Sequence, residues 1–167
     1  MRVGLRALAC LGAMLLALAW VAPALAHERR DVGPYQFVVG FNEEPAFQGE
    51  MNGAQLRVLR RADSQPVAGL EETLQVEVSY AGRSRVMELS PVFGQPGLYV
   101  AHFMPTASGR YTFRFFGTVE GAEVNETFVS GPGRRNAVLP VADGQFPEAN
   151  PAPLDRAQSV ERALAEA

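Results

Sequence analysis

Apolar and polar residues alternate through most of the chain between residues 34 and 131. From Leu74 to Tyr80, every second residue is apolar or aromatic and the residues between them are polar. A period of two is typical of a β-strand with one buried face and one face in water. Turn residues such as Glu120-Gly121 separate such segments, which favours an all-β, immunoglobulin-like antiparallel β-sandwich. The pattern predicts seven strands, over residues 35–42, 55–61, 74–80, 84–89, 98–104, 110–119 and 123–129.

The motif that indicates this fold most clearly is a corner in the chain followed by a strand with aromatic residues. Pro105 and Gly109 set the corner, and the tyrosine two residues later is placed to hydrogen-bond back to the corner backbone. A similar glycine-x-tyrosine motif begins at Gly97. This pair of motifs resembles exported immunoglobulin-like domains of the copper-resistance (CopC-like) and YtkA-like kind, and the resemblance implies the same sandwich fold. We expect the aromatic residues of both motifs to lie in the core: Tyr99, Phe103, Tyr111, Phe113 and Phe115.

The first 26 residues have the three parts of a secretory signal peptide. Arg2 and Arg6 give a basic start, residues 7–21 form an apolar run, and Ala24-Leu25-Ala26 is a small-residue cleavage site. The run is shorter than the roughly twenty residues that cross a bilayer, which favours cleavage over a membrane anchor. We therefore expect export to the periplasm or the medium, cleavage after Ala26, and a mature chain that begins with His27.

Composition narrows the function of the mature chain. Cleavage removes Cys10, the only cysteine, so thiolate catalysis, cysteine metal ligands and disulfides are excluded. All 18 acidic residues remain while two of the 15 basic ones are lost, and the resulting negative charge argues against nucleic acid as a partner. The sequence contains neither a G-x-S-x-G elbow nor a glycine-rich phosphate loop, so we expect a protein that is not an enzyme.

The candidate metal ligands are the two histidines, His27 and His102. The amine and imidazole of an N-terminal histidine can chelate one ion together, and such nitrogen ligands suit copper(II). The CopC-like resemblance also implies copper, because mature chains of that family start with histidine. His102 is predicted to point outward from its strand as a second ligand, and Glu28 or Asp31 could add an oxygen. The sequence thus favours a copper carrier or resistance protein; the alternative is a sandwich module that holds a protein partner, such as a membrane protein.

The C-terminal segment has a different composition. Four prolines interrupt residues 138–154, and a narrow apolar stripe over residues 154–164 indicates a short helix. We expect the sandwich domain to cover residues 27–135 and residues 136–167 to form a proline-rich tail with this helix. Because the tail has little apolar surface to bury, it is predicted to be dispensable for folding.

Overall fold

The computed structural model describes residues 27–131 and 137–149, together with Leu164, a helical residue with an exposed side chain. Otherwise, the predicted signal peptide and the predicted C-terminal helix lie outside the described residues. The described part also contains two single turns of 3-10 helix, Leu70–Glu72 and Val141–Gly144. Its strands are β1 (Glu28–Val32), β2 (Tyr35–Phe41), β3 (Asn52–Arg60), β4 (Leu74–Tyr80), β5 (Arg83–Glu88), β6 (Ser90–Pro91), β7 (Leu98–Phe103), β8 (Thr112–Val119) and β9 (Ala122–Val129).

Two antiparallel sheets pack face to face. The first has the strand order β1-β2-β3-β7-β6, and the second has the order β5-β4-β8-β9. The predicted all-β antiparallel sandwich is confirmed, and each of the seven predicted strands is present. Among the described residues, no helix is both long enough and apolar enough to cross a membrane.

Two strands, β1 and β6, were not predicted. The β1 sequence is mostly charged and lies at the edge of the first sheet, where it pairs with β2. On this strand, Arg30 occupies a position that an apolar residue would fill in a central strand. Its guanidinium carbon lies 4.2 Å from the centre of the Phe128 ring, and its Nη1 is 3.1 Å from Glu126 Oε2. A cation stacked on an aromatic face therefore joins the two sheets at this edge.

Aromatic rings from both sheets form the centre of the core. Phe41 from β2 packs edge-on against Phe113 from β8, with ring centres 5.2 Å apart. The Tyr111 hydroxyl donates to the Ala107 carbonyl at 3.0 Å, which is the corner bond that the motif predicts. Four of the five predicted core aromatics are buried, and Phe103 is partly buried against them.

The chain changes sheets at Leu89. β5 pairs with β4 in the second sheet up to Glu88, whereas β6 pairs with β7 in the first sheet from Ser90 onward. Because β6 covers only Tyr99 and Val100, no described strand continues along β7 at His102. A groove lined by residues of both sheets lies between β5 and the end of β7.

The folded unit continues past residue 135, where the sandwich was predicted to end. Val138 is only 2% exposed and exchanges two backbone hydrogen bonds with Gly109, of 2.8 and 2.9 Å. Leu139 also donates to the Ala46 carbonyl at 2.8 Å. Two residues that precede the first proline of the tail therefore pack against the sandwich beyond residue 135, and we now expect the segment around Val138 to contribute to stability.

Ending the chain after Asn136 is expected to lower the free energy of unfolding by about 2 kcal/mol, because Val138 loses its place in the core. Urea unfolding followed by circular dichroism measures this change. Ending the chain after Ala149 is the matched control and should leave the midpoint unchanged. Equal midpoints for the two truncated chains would contradict the role of Val138.

Candidate functional site

His27 lies on the outer face of the first sheet, next to a glycine. Continuing the β1–β2 register by one residue places it opposite Gly40. A Cβ built at Gly40 would come within 2.5 Å of the His27 Cδ2 atom, so the imidazole lies directly over the glycine. Any larger residue at this position would displace the ring. Because Gly40 has no side chain, the imidazole can pack directly against the backbone of β2.

The surroundings of His27 favour its neutral form. Burial lowers the pKa of the imidazole; a hydrogen bond to the Phe41 backbone opposes this, and the charge of Arg57 adds to the lowering. The Gln55 amide nitrogen lies 3.0 Å from His27 Nε2 and can donate to it. A neutral imidazole is the form that binds a metal ion. The nitrogen that can close a chelate ring with the terminal amine is Nδ1, so metal binding would require the tautomer whose proton lies on Nε2, beside the Gln55 amide.

Glu44 provides an unpartnered oxygen close to the same backbone. Its Oε1 atom is buried and has no hydrogen-bond partner. Burial raises the pKa of Glu44 to about 7, and a hydrogen bond from the Phe41 backbone opposes part of the rise. His27 and Glu44 thus both interact with the backbone of Phe41 at the end of β2. No local signal in the sequence marks the burial of the Glu44 carboxyl.

The Glu44 carboxyl makes the metal-free protein sensitive to pH. It holds its proton more tightly in the folded state, where the pKa is about 7, than at its ordinary value of 4.5. The folded state therefore loses stability as the pH rises through this window. A cation bound beside the carboxylate would offset the cost of the buried charge.

His102 lies on the outer face of the same sheet, exposed as predicted, but on a different strand. It pairs with Gly53 on β3, whereas His27 lies beside β2 at the opposite edge. Three strand spacings separate β1 from β7, which amounts to about 14 Å. The structure therefore places the two histidines on one face without bringing their backbones together. Between them, Gln55 and His102 line a polar groove of about 500 Å³.

The other predicted oxygen donors are engaged elsewhere. Glu28 Oε1 is 2.5 Å from Arg30 Nη2, and Asp31 Oδ2 is 3.2 Å from Arg61 Nη2. Each would have to leave an arginine in order to reach a metal ion at His27. Across residues 27–131 and 137–149, no group of three or more histidine, cysteine and acidic side chains could hold a metal. Any site at His27 therefore depends on the terminal amine that cleavage would create.

Comparisons with protein-family models, with curated proteins and with solved structures found no match to this chain. What the protein does is therefore inferred from its own residues and their geometry.

Proposed function

We propose that the protein is an exported, non-enzymatic carrier or resistance protein for copper(II), which binds the ion at the amine and imidazole of His27. The observation that carries this proposal is Glu44, whose Oε1 is buried without a hydrogen-bond partner and whose carboxyl group interacts with the same backbone residue as the His27 ring. Two nitrogens and a carboxylate oxygen are ligands that copper(II) accepts in a tetragonal arrangement. Copper is here the cargo of the protein.

The residues present fit such an ion in charge as well as in ligand type. The imidazole is held in its neutral form, and the carboxyl of Glu44 titrates near neutral pH. A cation would replace the proton of Glu44 and remove the cost of an unpaired buried charge. His102 stays a candidate for a further ligand, one that would have to reach across β3 from β7.

The proposal requires cleavage after Ala26. N-terminal sequencing of the protein recovered from the periplasm or the medium of an expressing bacterium should read His-Glu-Arg-Arg, because the small-residue junction directs the peptidase there. A mature chain that starts at any other residue would lack the chelating terminus and would contradict the proposed copper site.

Replacing Glu44 by glutamine in the mature protein is expected to lower the affinity for copper(II) by about tenfold, because the oxygen that completes the site loses its charge. Glu43→Gln is the matched control, since this neighbouring carboxylate is exposed. Competition titration gives the affinities, and paramagnetic resonance of the copper-loaded protein reports the change of ligand set. Equal affinities and identical spectra for the two variants would remove Glu44 from the site.

A mature protein that binds no copper(II) would instead favour the second candidate, a sandwich module that holds a protein partner. Phe93 supports this alternative, because its side chain is fully exposed in the turn between β6 and β7. Aromatic side chains are enriched among the residues that contribute most to protein–protein binding.

A further inference from the structure

The groove between β5 and the end of β7 has an apolar floor. It encloses about 700 Å³, a volume in the range of small-molecule sites. Three aromatic rings form the floor: the Tyr80 and Tyr111 ring centres are 4.8 Å apart, and Phe103 lies 5.8 Å from Tyr111. Both tyrosine hydroxyls donate to carbonyls of the corner, on Ser108 and Ala107. The rings therefore present carbon surface to the groove.

Two arginines form the charged side of this groove. In the β4–β5 register Arg83 pairs with Tyr80 and Arg85 with Val78, so both side chains lie on the inner face of β5. The first sheet does not extend over them, because β6 ends at Pro91. Neither guanidinium makes an ion pair or a hydrogen bond with a described residue, unlike Arg30, Arg60 and Arg114.

The lining contains no acidic residue to balance these charges. Two free guanidinium groups beside a floor of aromatic rings and the side chains of Met87 and Met104 are complementary to a molecule with an apolar body and one acidic end. An uncharged apolar ligand would form no ion pair with the arginines. A small polar anion would not cover the aromatic rings of the floor.

We propose that this groove binds an amphipathic organic carboxylate, with its hydrocarbon or ring portion on Tyr80, Phe103 and Tyr111 and its carboxylate paired with Arg83 and Arg85. This site is separate from His27 and does not depend on the copper proposal, because no residue of the chelating terminus lines the groove. The protein would then hold a small acid as well as a metal ion.

Sodium decanoate, below its micelle concentration, is the probe, and titration calorimetry of the full mature chain is the measurement. The double variant Arg83→Gln/Arg85→Gln is expected to bind decanoate roughly tenfold more weakly. Decanol, which has the same hydrocarbon chain without the carboxylate, should bind both proteins equally.

The matched control is Arg29→Gln/Arg61→Gln, which removes the same net charge from β1 and from the residue after β3, both outside the groove, and should leave decanoate binding unchanged. Amide shifts in a ¹⁵N spectrum should concentrate around Phe103 and Tyr111 when decanoate is added. Thermal unfolding checks that the exposed β5 substitutions leave the fold intact. The proposal is overturned if the groove and control variants bind decanoate equally, or if the shifts cluster on another surface.

Discussion

Acetylating the terminal amine of His27 is expected to lower the affinity of the mature protein for copper(II) by about 100-fold. The modification converts the amine into an amide nitrogen, which no longer closes the chelate ring with Nδ1, and it brings in no new amine. The imidazole stays over Gly40, so the loss reports the amine alone. Competition titration at pH 7.4 with a chelator of known affinity measures it.

His102→Ala provides the comparison, because it removes the other imidazole and leaves the terminus in place. Its effect should be clearly smaller, since about 14 Å of sheet separates β1 from β7. Glu28→Gln alters the residue next to the terminus without moving the amine and should have little effect. If the acetylated protein binds copper(II) as tightly as the native one, and with the same resonance spectrum, the terminal site does not exist.

Replacing Phe113 by alanine is expected to lower the free energy of unfolding by about 3–5 kcal/mol. Its ring is 1% exposed and contacts Phe41 across the sandwich, with a further contact to Phe103. The substitution leaves a cavity at the point where both sheets meet, and the surrounding rings relax only in part. Urea unfolding monitored by circular dichroism gives the value.

Phe116→Ala is the matched control on the same strand. Phe116 faces outward, is only partly buried, and carries Arg114 over its ring at 4.5 Å. Losing its ring should lower the free energy of unfolding by well under half as much, because most of the surface that Phe116 covers is already in contact with water. A similar cost for the two substitutions would mean that the centre of the core lies elsewhere.

The fold was predictable because the alternating pattern is local and strong. Along β4 and β8 buried residues alternate with more exposed ones, so the period of two translates directly into the sandwich, whereas β5 is exposed along almost its whole length. The pattern missed β1, where Arg30 covers Phe128 with a cation instead of an apolar side chain. It also ended the fold too early, because the burial of Val138 depends on a pairing with Gly109 across the molecule.

The candidate site was predictable only in part. His27 follows from the cleavage junction, and the outward orientation of His102 follows from strand alternation. Their separation depends on the order of the strands in the sheet, which no short motif encodes. The burial of Glu44 depends in the same way on the path of the loop between β2 and β3. Residues whose role depends on non-local packing escaped prediction, whereas those defined by local sequence did not.

The inward-facing arginines of β5 also bear on how copies of the protein behave at high concentration. β5 is an exposed edge of six residues with unpaired backbone groups, the kind of strand on which a second chain can add and start a filament. A strand from another copy that paired there would close the groove and strip water from Arg83 and Arg85. Charge at this edge therefore protects the monomer from edge-to-edge aggregation.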